Sequence, residues 1–229
     1  MKSFMSVVRN LLFILVAVFS AGTLIVIANG ISTGTELSPF NIAVDTVMMH
    51  LRTPFLTSLM LFFTNAGSPL VLSVLAVFLA LLLFLKRDTY DALLYVASMG
   101  VSIVAFTVLK NTFHIARPVG SIVVLLSWSF PSGHATVAAA FFFATSYTFF
   151  GKVDSAWKKT LLICGSILGV CLISFSRVYL GVHFALDVLA GIALGILSVS
   201  LTVLAFNLFL EEEKWRHKKL FSRIGRLNR

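Results

Sequence analysis

Two histidines, one aspartate and three basic residues stand where an apolar chain has little reason to keep them. Lys110, Arg117 and Arg177 fall at or near the same end of three hydrophobic runs, and His134, His183 and Asp187 also lie at run ends. A charge at a bilayer centre costs roughly 2.5–3.5 kcal/mol on the mildest scale, and less near the interface, so an ionisable group kept there is a functional candidate. Several cations near one point repel each other unless an anion sits among them. Phosphate suits that place, because arginine offers its oxygens a planar fork and lysine a point charge. If the chain stays helical from Lys110 to Arg117, the two side chains share one helix face about two turns apart. His183 and Asp187, four residues apart, also share a face. An aspartate there can fix the histidine tautomer and stabilise its cation, leaving the ring free to act as nucleophile or base. His134 is then available as an acid. Positioning, charge neutralisation, attack and leaving-group protonation make up the requirements of phosphoryl transfer.

The elements that must position these groups are membrane helices. Mean hydropathy is +0.99 over 229 residues, with 59% hydrophobic and 12% charged residues. Runs of about 20 apolar residues, enough to cross a ~30 Å hydrocarbon core, recur along the chain. Six spans are predicted, at about 11–29, 69–86, 91–111, 133–150, 160–177 and 186–210, within a single all-α polytopic membrane domain covering 1–229. Pro118 is expected to stop the third span, and Pro131-Ser132-Gly133 to open the fourth with Ser132 as its cap. Main-chain N–H groups at Ser132, Gly133 and His134 would then form an anion cradle, with Gly133 allowing close approach. In the first outside loop, 42–51 and 55–63 are too short to span and too greasy to be solvated. They are expected to form one or two short interfacial helices.

The net charge of +9 is a matter of topology. Fourteen of the eighteen cations lie in alternate loops and at the two termini, including the basic tail 211–229. The positive-inside rule places those segments in the cytoplasm, with loops 30–68, 112–132 and 178–185 outside. The site residues therefore face outside, and nucleic acid is not an expected partner. The tail is expected to rest on anionic lipid headgroups. Cys164 and Cys171 are too far apart along one helix to bridge and read as small packing residues. Arg52 reads as a snorkelling interfacial residue, Asp45 and Glu36 as solvated, and His50 and His114 as interfacial. Glu211, Glu212 and Glu213 read as part of a helix leaving the membrane.

Three blocks make the pattern recognisable: Lys110-x6-Arg117-Pro118, Pro131-Ser132-Gly133-His134, and Ser176-Arg177-x5-His183-x3-Asp187. Together they resemble the signature of the type 2 phosphatidic acid phosphatase superfamily, and within it the small bacterial membrane phosphatidylglycerophosphatases. The resemblance implies that His183 attacks phosphorus and carries a transient phosphohistidine, that Asp187 orients it, and that His134 protonates the leaving oxygen. It also implies that Lys110, Arg117, Ser132, Gly133 and Arg177 hold the phosphate oxygens, with no metal and no other cofactor. No acidic cluster suited to a magnesium ion stands near the outer face of the sequence-derived topology.

The expected activity is a metal-independent lipid phosphate phosphatase, with phosphatidylglycerophosphate the first choice of substrate. Undecaprenyl pyrophosphate is second, followed by phosphatidic acid and diacylglycerol pyrophosphate. No obligate protein partner is expected. A transporter for anions or lipids is the rival class. It would place polar or broken helices near the midplane, whereas these charges gather at one end, and it leaves the His183–Asp187 pairing unused.

Overall fold

The computed structural model describes residues 2–32, 38–123 and 125–227, with side chains left undescribed at 2–3, 5, 32 and 210–227. Those residues form eight α-helices and no strand: α1 (Lys2–Ser32), α2 (Pro39–His50), α3 (Pro54–Ala66), α4 (Pro69–Leu85), α5 (Thr89–Phe113), α6 (Gly133–Phe150), α7 (Ala156–Tyr179) and α8 (Ala185–Leu227). Three of them start in the same way. Ser38, Thr53 and Ser68 each accept a main-chain N–H three residues on, and each is followed by proline at the first helical position. Proline there gives up an N–H that would have no helical partner, while the hydroxyl satisfies one that would otherwise be orphaned. The chain therefore re-enters a helix promptly after each bend.

Four helices, α1, α5, α7 and α8, are long and apolar enough to cross a membrane; α3 and α4, bent by 44° at their junction, would together make a fifth. The chain is thus a multi-pass membrane protein. The sequence reading set 55–63 on the interface and 69–86 alone across the bilayer; the structure forms a separate helix over each, α3 and α4, which meet at that bend. α6 covers 133–150 as expected, yet falls outside the four. It packs against α4, α5, α7 and α8, so small and weakly polar residues serve it better than greasy ones. Ala135, Val137, Ala138, Ala140 and Ala144 are wholly buried along it.

A close seam runs between α6 and α8. A Cβ on Gly191 would stand 2.6 Å from the Ser132 carbonyl oxygen, and one on Gly195 would strike the main chain at Thr136. The two glycines, four residues apart, form the small-xxx-small face that lets membrane helices meet backbone to backbone. That seam sets the start of α6 against the start of α8, where the candidate residues are.

Several expectations need correction. α5 ends at Phe113, four residues before Arg117, because His114 adopts a left-handed conformation with φ 50°. Lys110 and Arg117 therefore do not share a helix face. Cys164 and Cys171 are both exposed rather than packed inside. Arg52 does not snorkel: its guanidinium donates to the Tyr179 carbonyl at 3.3 Å and the Gly120 carbonyl at 3.1 Å, tying the end of α7 to the segment after α5. Asp45 is half-buried, and the loss of water around it raises its pKa above the usual carboxylate value. Glu36 lies outside the described residues. The helix emerging at Glu211–Glu213 runs on to Leu227 as part of α8.

Candidate active site

Each of the eight candidate residues stands at one end of the bundle. Lys110 is in the last turn of α5, and Arg117 follows in the segment after it. Ser132 caps α6, with Gly133 and His134 in its first turn. Arg177 closes α7, His183 occupies the turn between α7 and α8, and Asp187 is in the first turn of α8. The cap on α6 forms as the sequence suggested, with Ser132 Oγ accepting from Ala135 N at 3.5 Å. Its main-chain N–H, however, donates to the Asp187 carbonyl at 3.0 Å. That donor is therefore committed to holding α6 against α8, and Gly133 and His134 supply the free first-turn N–H groups of the helix.

Three of the charged or titratable groups are almost closed off from solvent: Arg177 is 4% exposed, and His183 and Asp187 are 1% exposed. A buried cation needs compensation, and Arg177 has little. Its Nη1 donates to Thr64 Oγ1 on α3, and its Nε has no hydrogen-bond partner. Lys110 Nζ donates to the Trp128 carbonyl at 2.8 Å. Arg117 spreads over the loop between α5 and α6, donating to Ser127 O at 2.7 Å, Ser127 Oγ at 2.9 Å and Trp128 O at 3.1 Å. It donates as well to the Val182 carbonyl. The basic groups thus hold neutral acceptors that an anion would outcompete. Burial pushes the Arg117 guanidinium below its ordinary range, with the Asp187 carboxylate pulling the other way. His134, partly buried, lies within electrostatic reach of Arg177, His183, Lys110 and Arg117.

The tautomer of His183 follows from its neighbours. Arg117 Nη1 lies 3.3 Å from His183 Nε2. A guanidinium has no acceptor to offer, so Nε2 must carry a lone pair and the proton resides on Nδ1. Burial, reinforced by Arg117, Arg177 and Lys110, holds the His183 pKa well below the usual imidazole value. A neutral ring with its lone pair among three cations is suited to attack an electrophile that brings negative charge with it.

Sequence reasoning missed four contributors. Ser129, wholly buried, places its hydroxyl 2.5 Å from Asp187 Oδ2 and 3.3 Å from His183 Nδ1. Asn41 of α2, 2% exposed, accepts the Leu186 N–H at 3.2 Å and so caps the first turn of α8 from a different helix. Thr64 supports Arg177. Tyr179 Oη accepts the Thr53 N–H at 3.1 Å, fixing the start of α3 on the end of α7. None has a sequence signal of its own, although Ser129 stands three residues before Ser132. His114 lies at the rim, its ring edge-on to Trp128 with centroids 4.9 Å apart.

Comparison with known proteins gives a consistent result. The family model of the PAP2 superfamily matches residues 91–210, a stretch that includes all eight candidate residues of the site. The chain is 35% identical over 158 residues to phosphatidylglycerophosphatase B of Bacillus subtilis (strain 168), covering 68% of this chain and 77% of that one. It is 30% identical over 169 residues to an undecaprenyl-diphosphatase of Sulfolobus acidocaldarius, covering 71% of this chain and 76% of the relative. Among solved structures, it is similar to a transmembrane PAP2 type phosphatidylglycerolphosphate phosphatase from Bacillus subtilis, with a TM-score of 0.74 and 31% identity. That likeness covers 81% of this chain and 93% of the other.

Proposed function

The chain belongs to the PAP2 superfamily of phosphatases, and from that premise we propose that it hydrolyses a lipid phosphate at the outer membrane–water interface through a phosphohistidine on His183. The observation that carries this reading is the 3.3 Å approach of Arg117 Nη1 to His183 Nε2, which sets the nucleophilic lone pair beside a phosphate-binding cation. Lys110, Arg117 and Arg177, with the Gly133 and His134 N–H groups, hold the phosphate oxygens, and Ser132 holds the seam that presents them. His183 Nε2 attacks phosphorus, forming an N–P bond as the bond to the lipid oxygen breaks. His134 delivers the proton to that oxygen. Water then attacks phosphorus, His134 takes its proton, and the N–P bond breaks to release inorganic phosphate. The three cations take the part that a metal plays elsewhere in stabilising the charge of the transferring group.

Six crossings follow if α4 and α6 traverse the bilayer with the four longer helices, and α2 then lies at the interface beside the site. Both termini and the basic loops around Lys86, Lys152 and Lys158 face the cytoplasm by the positive-inside rule, with the basic tail against anionic lipid. Phosphatidylglycerophosphate is the preferred substrate, supported by the 35% identity to a phosphatidylglycerophosphatase. The undecaprenyl-diphosphatase relative favours prenyl pyrophosphate as the second reading. The test is phosphate release by the purified full chain from phosphatidylglycerophosphate, undecaprenyl pyrophosphate and phosphatidic acid, each with excess chelator. Fastest turnover of the first, unaffected by chelator, is expected. Release from none of them would overturn the activity, and a strict metal requirement would overturn the mechanism.

A further inference from the structure

We propose that Ser129 is the positioning residue that couples Asp187 to His183, so that the unit orienting the nucleophile is His183–Ser129–Asp187. The inference rests on the reading of His183 as nucleophile and adds a member that the three sequence blocks do not contain. The direct pairing is too long to be a hydrogen bond: His183 Nδ1 and Asp187 Oδ2 are 3.6 Å apart, past the reach of a side-chain hydrogen bond. Ser129 Oγ closes the gap, at 3.3 Å from Nδ1 and 2.5 Å from Oδ2. The shorter contact has the length of an O–H donated to a carboxylate, which directs the hydroxyl proton to Asp187. The oxygen lone pairs then face Nδ1, where Arg117 has already required the imidazole proton to be. Every donor in the series meets an acceptor: Nδ1–H to Oγ, and Oγ–H to Oδ2.

Ser129 is held firmly enough for this task. It is wholly buried, and its N–H donates to the Ile115 carbonyl at 2.7 Å. Phe130, also wholly buried, packs its ring on Phe113 with centroids 5.1 Å apart. Three residues later Ser132 N–H binds the Asp187 carbonyl. The segment is thereby pinned to the end of α5 and the start of α8 together. Asp187 Oδ2 takes a second donor, the Phe184 N–H at 3.0 Å, which fixes the carboxylate while the hydroxyl reaches the ring. When Nε2 bonds to phosphorus the ring becomes cationic, and the series spreads that charge toward the carboxylate.

The test uses the full-length protein in a phosphate-release assay on the substrate the wild type turns over best. Ser129→Ala keeps the main-chain carbonyl and removes only the hydroxyl. It should lower kcat roughly 10- to 100-fold, the worth of one hydrogen bond to a charged group, with KM changed less than twofold. Ser129→Cys, a weaker donor, should fall between alanine and serine. Because the two residues act as one unit, Ser129→Ala combined with Asp187→Asn should lose no more than the worse single variant. Multiplying losses, or a kcat within twofold of wild type in folded Ser129→Ala, would overturn the proposal. If Ser129→Ala does not fold, the cysteine variant decides: full wild-type kcat from folded protein is the refuting result. A wild type that releases no phosphate from any lipid would instead sink the functional reading beneath it.

Discussion

Replacing Gly191 by alanine should damage the reaction without touching a single reacting group. The added Cβ would lie 2.6 Å from the Ser132 carbonyl oxygen and 3.1 Å from both Ala135 Cβ and Thr136 Oγ1. The first contact is with main chain, which cannot rotate away as a flexible side chain could. To restore an ordinary contact of 3.4 Å or more, α8 must withdraw from the start of α6 by about 0.8 Å. The seam that opens is the one spanned by the Ser132 N–H to Asp187 O hydrogen bond. Asp187 and His183 ride on α8 and the turn before it, whereas His134 and the helix N–H donors ride on α6. His183 and His134 therefore move apart.

A misplacement of that size can cost on the order of 100-fold in rate, and overpacking of this kind typically costs about 1–3 kcal/mol in stability. Gly191→Ala is thus expected to lower kcat/KM by about 10- to 100-fold, with kcat carrying most of the loss, and to lower the thermal midpoint. The assay is phosphate release under saturating and limiting lipid, beside a melting curve in the same detergent. As a control, Gly165→Ala puts its Cβ where nothing lies within 4 Å and should behave as wild type. Full activity and an unchanged melt in Gly191→Ala would refute the argument that the α6–α8 approach sets the site.

Thr64→Val removes the hydroxyl to which buried Arg177 donates while keeping its shape; kcat/KM should fall about tenfold or more, and a value within twofold of wild type would contradict the role given to Thr64. Because burial and then Arg117, Arg177 and Lys110 lower the His183 pKa from 6.5, the ring stays neutral into mild acid. The acid limb of kcat/KM should therefore lie below pH 6.5, and Arg117→Gln, which deletes one of those cations, should move it upward; a limb above 6.5 in the wild type would count against the assignment. Asn41→Ala uncaps the first turn of α8 and should cost about 1 kcal/mol, read as a lower melting temperature with a modest loss of kcat; unchanged stability would show that α2 does not hold α8.

The site was legible wherever a short stretch of chain carries its own instructions. Ser132 before a small-residue run announces a capped helix, and α6 begins there. Helix ends were also visible in the charge pattern, since Lys110, Arg177 and Asp187 stand at the limits of apolar runs and α5, α7 and α8 place them together. What stayed hidden depends on partners far along the chain. Ser129, Asn41 and Thr64 look like ordinary polar residues until the fold brings His183, Leu186 and Arg177 to them. Arg52 looked like a lone interfacial charge because its acceptors, the carbonyls of Tyr179 and Gly120, have no sequence signature. The early end of α5 was missed because Pro118 was the obvious stop, whereas the helix is turned by His114 in a left-handed conformation. Gly191 and Gly195 went unremarked in the sequence, and only their contact with Ser132 and Thr136 gives their spacing a consequence for the site.

A phosphoryl group carried by His183 can be trapped on the protein. Purified protein is mixed with its best lipid phosphate, quenched within the first turnover under alkaline conditions that preserve an N–P bond, and digested for mass spectrometry. One phosphoryl group on the peptide containing His183, absent from His183→Ala, is the predicted result. Phosphate on a different residue, or steady turnover by folded His183→Ala, would show that His183 is not the nucleophile.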